Sequence, residues 1–450
     1  MNPANIINEL FLALLAPMVS AAAPGAVSPA MAAATRFHDG WPLLASLIKS
    51  GVILGVILSI TGYIVLVERR VIAFLQHRVG PNRARLGFLP RTAPAHWSAP
   101  ARLAGNAVLS VPNYLASLGL LQPLADVIKL LTKEDFTPPF VNKVLFTIAP
   151  AIIVVTALMA LGLVPWGDPN LSPWFVVTNS NVGILLFLGL SSLGVYSIVL
   201  AGWSSNNKYA VLGGLRATAQ MISYELSMGL ALLAVVMLTG SFNMGEIVRQ
   251  QSTVWNIVLQ PVGFVVFLIA IVAESRRTPF DLPEAENELV AGFHTEYSSM
   301  KFAMFFLGEY IGVLLLSGIT ATVYLGGWMG PNMPMWSLLA LLALTVQMWE
   351  WTRTTYPSMP RPSPVAIVLA GLAAVLFLFV SPFAVPGVVW VLAKMLALVF
   401  FFIWIRATYP RFRYDHLMDI GWKFLMPVAL LNVVVTAFLA LAFAGFAASR

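Results

Sequence analysis

VGILLFLGLSSLGVYSIVLAGWSSNNKYAVLGGLRATAQMISYELSMGLALLAVVMLT, residues 182–239, carries two apolar runs, 182–202 and 217–239, parted by a polar turn with Lys208 and Arg216. Each run has about the 20 residues that a helix needs to cross the hydrocarbon core of a bilayer. The stretch therefore reads as a pair of membrane helices with a basic turn. A lone carboxylate, Glu225, lies inside the second run.

The same signal recurs outward in both directions. Further apolar runs fall at about 43–67, 144–164, 257–274, 301–325, 336–350, 365–384, 388–406 and 424–446, which makes ten candidate spans. With 59% hydrophobic and 10% charged residues in 450, the chain has more apolar side chain than one water-soluble core can bury. The expected fold is all-α: a polytopic bundle of about ten transmembrane helices over 41–450, after an extension at 1–40. The opening MNPANIINELFLALLAPMVS lacks the Lys or Arg of a signal-peptide n-region and reads as an apolar extension on or in the membrane.

The net charge of +7 does not point to nucleic acid, because no polar domain exists to carry a phosphate-binding patch. It follows membrane topology instead. Basic residues gather at 69–143, at Lys208 and Arg216, at Arg276 and Arg277, at Arg353 and Arg361, and at Arg406, Arg411, Arg413 and Lys423. With ten spans these five clusters share the cytoplasmic side, as the positive-inside rule requires, and both termini lie opposite. The absence of Cys excludes disulfides and thiolate-held metal or iron–sulfur centres in this chain. His38, His77, His96, His294 and His416 lie outside the apolar runs, so no haem can be held between facing membrane helices.

Two loops are too long for connectors. In NYLASLGLLQPLADVIKLLTKED, 113–135, Leu118, Leu121, Leu124, Ile128 and Leu131 recur at helical spacing, as in an amphipathic helix on the membrane interface; an ordinary amphipathic loop fits the pattern equally. In ESRRTPFDLPEAENELVAGFHTEYSSMK, 274–301, six acids gather: Glu274, Asp281, Glu284, Glu286, Glu288 and Glu296. Crowded carboxylates resist simultaneous ionisation and suit a proton antenna; a solvated acidic loop is the plainer alternative. Pro279 and Pro283 bar a continuous helix through RTPFDLPE.

Glu225 and Glu309 each lie eight residues into their runs from the basic side, about 12 Å deep at 1.5 Å per residue. An ionised side chain in hydrocarbon costs at least about 2.5–3.5 kcal/mol, so such residues face protein or water and belong to ion pathways more often than to packing. The two could meet at one level, and burial without a cation would raise their pKa values toward neutrality. The plainer alternative is a structural carboxylate bonded to Tyr224, Tyr310 or Ser227.

ERRVIAFLQHRVGPNR (68–83), LLQPLADVIKLLTKED (120–135), SSLGVYSIVLAGWSSNNKYAVLGGLRATAQMISYE (191–225), AESRRTPFDLPEAENELVAGFHTEYSSMKFAMFFLGEY (273–310) and RATYPRFRYDHLMDIGWK (406–423) complete the pattern. In this order they resemble the H-subunit family of bacterial respiratory complex I, whose mitochondrial members are called subunit 1, from about Leu43 onward. The resemblance implies a membrane subunit of a proton-pumping NADH:quinone oxidoreductase in a bacterial inner membrane. It implies as partners the peripheral-arm subunits that carry NADH and the iron–sulfur clusters, the other membrane-arm subunits, quinone (ubiquinone among them) and the lipid bilayer, with no cofactor bound in this chain. Glu68, Arg69, Asp126, Arg277, Phe280 and Asp281 then bound the quinone chamber, and Glu225, Glu284, Glu286, Glu288, Glu296 and Glu309 form the acidic relay.

The chain departs from that family in three places: the extension at 1–40, about 30 inserted residues at 84–117 with four prolines and Trp97, and added hydrophobic sequence at 329–386, where the family core has eight spans. Other readings are the anchor of a related membrane-bound hydrogenase, a bare scaffold, and a stand-alone secondary transporter. The transporter predicts an internal repeat, and none is found. The scaffold leaves the membrane carboxylates without a role.

Parity generates a prediction. Two added crossings at 336–350 and 365–384 keep RATYPRFRYDH on the basic side, whereas one would invert it. A cysteine at Ser358 is then labelled by a membrane-impermeant maleimide from the cytoplasmic face alone, and labelling from outside contradicts the hairpin.

Overall fold

The protein, seen in a computed structural model, is described at residues 42–78, 80–81, 119–168, 175–281, 291–330 and 387–448. Twelve α-helices fall within them: α1 Pro42–Leu75, α2 Gln122–Thr132, α3 Lys143–Leu161, α4 Gly183–Ser204, α5 Lys208–Thr239, α6 Met244–Gln250, α7 Asn256–Leu259, α8 Pro261–Glu274, α9 Ser299–Tyr324, α10 Gly387–Thr408, α11 Tyr414–Asp419 and α12 Met426–Ala448. A 3₁₀ turn at Gly292–His294 and a π-helical turn at Ile420–Leu425 complete them, and no strand occurs among the described residues.

Seven of the described helices are long and apolar enough to cross a membrane, and α8 is a shorter apolar helix. Eight of the ten expected runs are thus helical. The runs 336–350 and 365–384, the 84–117 insertion and the 1–40 extension lie outside the described residues.

Local sequence chemistry sets the helix ends. Asn142, Asn207 and Asn243 cap α3, α5 and α6, their side-chain oxygens accepting from backbone N–H groups of the first turn. Helix α5 stops at Gly240, whose φ of +67° is open to glycine and whose N–H bonds back to Val236. Pro261 opens α8, where its missing N–H costs no helical bond.

The long α5 is the hub. It packs against α4, α8 and α12, while α9 packs against α3, α10 and α1. Without a strong hydrophobic drive between helices in lipid, close packing and buried polar ties carry more of the association. Tyr224 of α5 donates to the Leu417 carbonyl at 2.9 Å, and Trp422 Nε1 donates to Ser223 Oγ at 3.0 Å, fixing the π-helical turn on the hub. Helix α2 buries none of its residues. Leu124, Val127, Ile128 and Leu131 form an uncovered stripe at helical spacing, the amphipathic pattern that suits a membrane interface.

Candidate functional site: a buried ion network beside a carboxylate-lined cavity

Helix α8 has 14 residues, about 21 Å at 1.5 Å per residue, short of a full crossing. The chain beyond it is irregular yet buried, so its backbone needs partners inside the protein. Gln220 of α5 provides them: its fully buried Nε2 donates to the carbonyls of Ala273 and Phe280, both at 2.8 Å. Within this clasp Arg276 adopts a left-handed φ of +54°. The two arginines diverge there. Arg276 lies over the Phe293 ring, 5.7 Å from its centroid, and Arg277 over the Tyr310 ring at 4.0 Å.

Arg277 lies at the centre of an ion network. Its Nη1 donates to Glu68 Oε2 of α1 at 2.5 Å. Its Nε lies 2.9 Å from Glu309 Oε1 of α9, an ion pair outside hydrogen-bonding alignment. Arg406, at the end of α10, donates to the other oxygen of Glu68. The Glu68 and Arg277 side chains are each 4% exposed, and Glu309 is 11% and Arg406 33% exposed, so two carboxylates and two guanidiniums neutralise one another with the central pair away from water and Arg406 reaching the surface. Beside them Arg411 donates to Asp281 at 3.0 Å, leaving the second Asp281 oxygen unpartnered. The planar guanidinium suits Arg277, which reaches two carboxylates and a ring face at once.

A second group of acids lies along α4. Ser191 Oγ donates to Glu274 at 3.2 Å, and its neighbour Ser192 donates to Glu225 at 2.6 Å. Two adjacent hydroxyls therefore hold carboxylates from α8 and α5. The second oxygen of Glu274 is buried without a partner. A cavity of about 80 Å³ opens there, walled by Ser191, Glu274, Arg276 and Glu309 with Thr156 and apolar side chains. It exceeds the roughly 10–15 Å³ that a single water requires.

The sequence-derived residues do not form one wall. Arg69 and Asp126 pair at 2.8 Å, partly exposed, and tie α2 to α1. Phe280 packs between Tyr224 and Phe412, with centroids at 5.7 and 5.6 Å, and lines an apolar groove of about 600 Å³ with Phe401, Trp404 and Tyr409. Glu296 accepts from Asn207 Nδ2 at 2.7 Å, at the start of α5. Glu284, Glu286 and Glu288 lie outside the described residues.

Two expectations need correction. Glu309 is not buried without a cation, because Arg277 holds it. The cavity wall bears Glu309 and Glu274 rather than Glu309 and Glu225. Glu274, grouped with the loop acids in the sequence, is the last residue of α8 and stands beside the membrane carboxylates. Its signal was its place at the end of an apolar run. Arg406 and Arg411 read as topology charges and emerge as partners of Glu68 and Asp281.

These features define a multi-pass helical membrane protein with a neutralised ion network and a polar cavity inside its bundle. Among the described residues no group of His, Cys, Asp and Glu is placed to hold a metal.

The NADH dehydrogenase family model matches residues 110–361 and 365–437. The chain is 42% identical to the NADH-quinone oxidoreductase H subunit of Syntrophotalea carbinolica, across 88% of this chain and 96% of that protein. It is 43% identical to the first of the numbered H subunits of Geobacter metallireducens, across 87% and 95%, and 42% identical to the H subunit of Methylococcus capsulatus, across 86% and 95%. The chain belongs to the H-subunit family of NADH-quinone oxidoreductases, the membrane subunits of that complex.

His294 gives the site a pH signature. Its ring sits edge-on to Phe293 and Phe302, with centroids at 5.0 and 5.3 Å, and burial, then the charge of Arg276, push it from 6.5 to about 4. The folded state thus binds this proton less readily than the unfolded state, and stability present above pH 6.5 is lost as pH falls toward 4. The thermal midpoint of the complex should fall less steeply between about pH 7 and 5 in His294→Gln than in the unaltered protein. Identical slopes would show that His294 does not contribute.

Proposed function

We propose that this chain forms the membrane wall of the quinone-reaction chamber of a bacterial NADH:quinone oxidoreductase and relays protons from it into the membrane arm. The relay runs through Glu309, the cavity, Glu274 and Glu225, and the acids Glu284, Glu286, Glu288 and Glu296 feed it. The peripheral-arm subunits carry NADH oxidation and the iron–sulfur clusters, and the inner membrane holds the complex. The observation that carries this reading is the cavity with Glu274 and Glu309 on its wall, next to a serine pair that also binds Glu225.

The chemistry follows from charge. Quinone takes two electrons from the partner subunits and two protons to become quinol. A headgroup reduced near Arg277, Asp281 and Arg406 alters the field at Glu309, which Arg277 already holds at 2.9 Å. A carboxylate in a poorly hydrated site answers such a change by binding or releasing a proton. Water in the cavity carries that proton to Glu274, and the serine pair brings Glu225 within the same group. The exposed Arg69–Asp126 pair tethers the interfacial helix α2 at the chamber's mouth.

Two substitutions in the assembled complex test the two halves of the proposal. Glu225→Gln retains shape and removes titration, so quinone reduction coupled to proton transport should fall at least about tenfold, the size of a 1.4 kcal/mol effect. Asp281→Asn should depress quinone reduction while electron transfer to a hydrophilic artificial acceptor is retained. Undiminished proton stoichiometry in the first would remove the relay, and unchanged quinone kinetics in the second would remove the chamber.

A further inference from the structure

Arg276 adopts a backbone conformation, φ +54°, that glycine or asparagine enters at lower cost than arginine. Its N–H bonds to the Ala273 carbonyl at 3.2 Å, and Gln220 clasps the turn, so the conformation is fixed from both sides. The residue is 8% exposed, and its Nε is buried without a hydrogen-bond partner. Backbone strain and a desolvated guanidinium thus fall on one position. Strain of this kind collects at functional positions.

Arg276 forms part of the cavity wall with Glu274, Glu309, Ser191 and Thr156. Without it that wall would suit an alkali cation. Two carboxylates and two hydroxyls are hard oxygen ligands, and Thr156 Oγ1, which donates to the Ile152 carbonyl at 2.9 Å, keeps lone pairs to offer. The placement of charge decides against such an ion. Glu309 is already neutralised within the network of Arg277, Glu68 and Arg406. Glu274 is left, its second oxygen unpartnered. Arg276 and Glu225 both act on that carboxylate through their charge, so among the described residues Arg276 is the counter-charge to two acids.

We infer that Arg276 is a selectivity residue of the relay: its fixed positive charge keeps metal cations such as sodium out of the cavity and leaves that space to protons carried on carboxyl groups and water. This role rests on the relay proposed above. A second cation a few ångströms from a buried guanidinium is disfavoured roughly a hundredfold at an effective dielectric constant of about 20, and a fixed arginine bars cations from narrow pores in the same way. A proton escapes this barrier, because a carboxylate takes it up to become a neutral acid.

Arg276→Asn removes the charge and suits the left-handed backbone, so the fold is not put at risk, while Arg276→Lys retains the charge. Each assembled complex would be reconstituted in proteoliposomes. Proton transport driven by quinone reduction would be compared in sodium and choline chloride of equal ionic strength, with uptake of labelled sodium followed alongside. The unaltered and Arg276→Lys complexes should transport protons equally in both salts and take up no sodium above the passive leak. Arg276→Asn should lose at least about threefold in sodium relative to choline, once the roughly hundredfold barrier is gone. An Arg276→Asn complex indifferent to sodium would overturn the inference, as would quinone-driven sodium uptake by the unaltered complex. Glu225→Gln separates this role from the relay itself: undiminished pumping by that variant removes both, whereas impaired pumping together with a sodium-indifferent Arg276→Asn removes the selectivity role alone.

Discussion

The burial of the Arg277 guanidinium constrains the rest of the site. A charge with 4% of its side chain exposed is tolerable only with partners, and removing one partner from such a pair costs about 3–5 kcal/mol. The partners come from far along the chain: Glu68 on α1 and Glu309 on α9, with Arg406 on α10 completing the charge balance. Three membrane helices and the turn after α8 are therefore held in one arrangement. The Gln220 clasp belongs to the same constraint, because it satisfies the backbone that delivers Arg277.

Glu309 belongs to two assemblies. It pairs with Arg277 on one side and forms part of the cavity wall with Glu274 on the other. On the proposed reading this shared residue turns an electrostatic event at the quinone into a proton movement in the bundle. Neither assembly performs that conversion alone. An ion network without the cavity would only brace helices, and isolated carboxylates would have no reason to respond to quinone reduction.

The membrane-helix architecture was legible because hydrocarbon imposes a length on apolar runs, and eight of those runs coincide with described helices. The break after Glu274 was legible in the prolines of RTPFDLPE. Pairing was not. Glu68 and Arg277 are 209 positions apart, and Glu68 and Arg406 are 338 apart; nothing in local spacing joins them. The same holds for the adjacent serines of α4, ordinary in an apolar run until α5 and α8 bring a carboxylate to each. Equal depth suggested that Glu225 and Glu309 could meet, but depth does not fix the direction in which a side chain leaves its helix. In the fold, Glu309 turns to Arg277 and Glu225 to Ser192.

The mutual dependence of Glu68 and Arg277 is read by a double-mutant cycle on their contribution to stability. Glu68→Gln, Arg277→Gln and the double variant would be compared by chemical or thermal unfolding of the complex. The double variant should be less destabilised than the sum of the singles by about 0.5–3 kcal/mol, the range for contacting residues, since it leaves neither charge without the other. Strictly additive losses would show that the pair is uncoupled and that something else holds the site together.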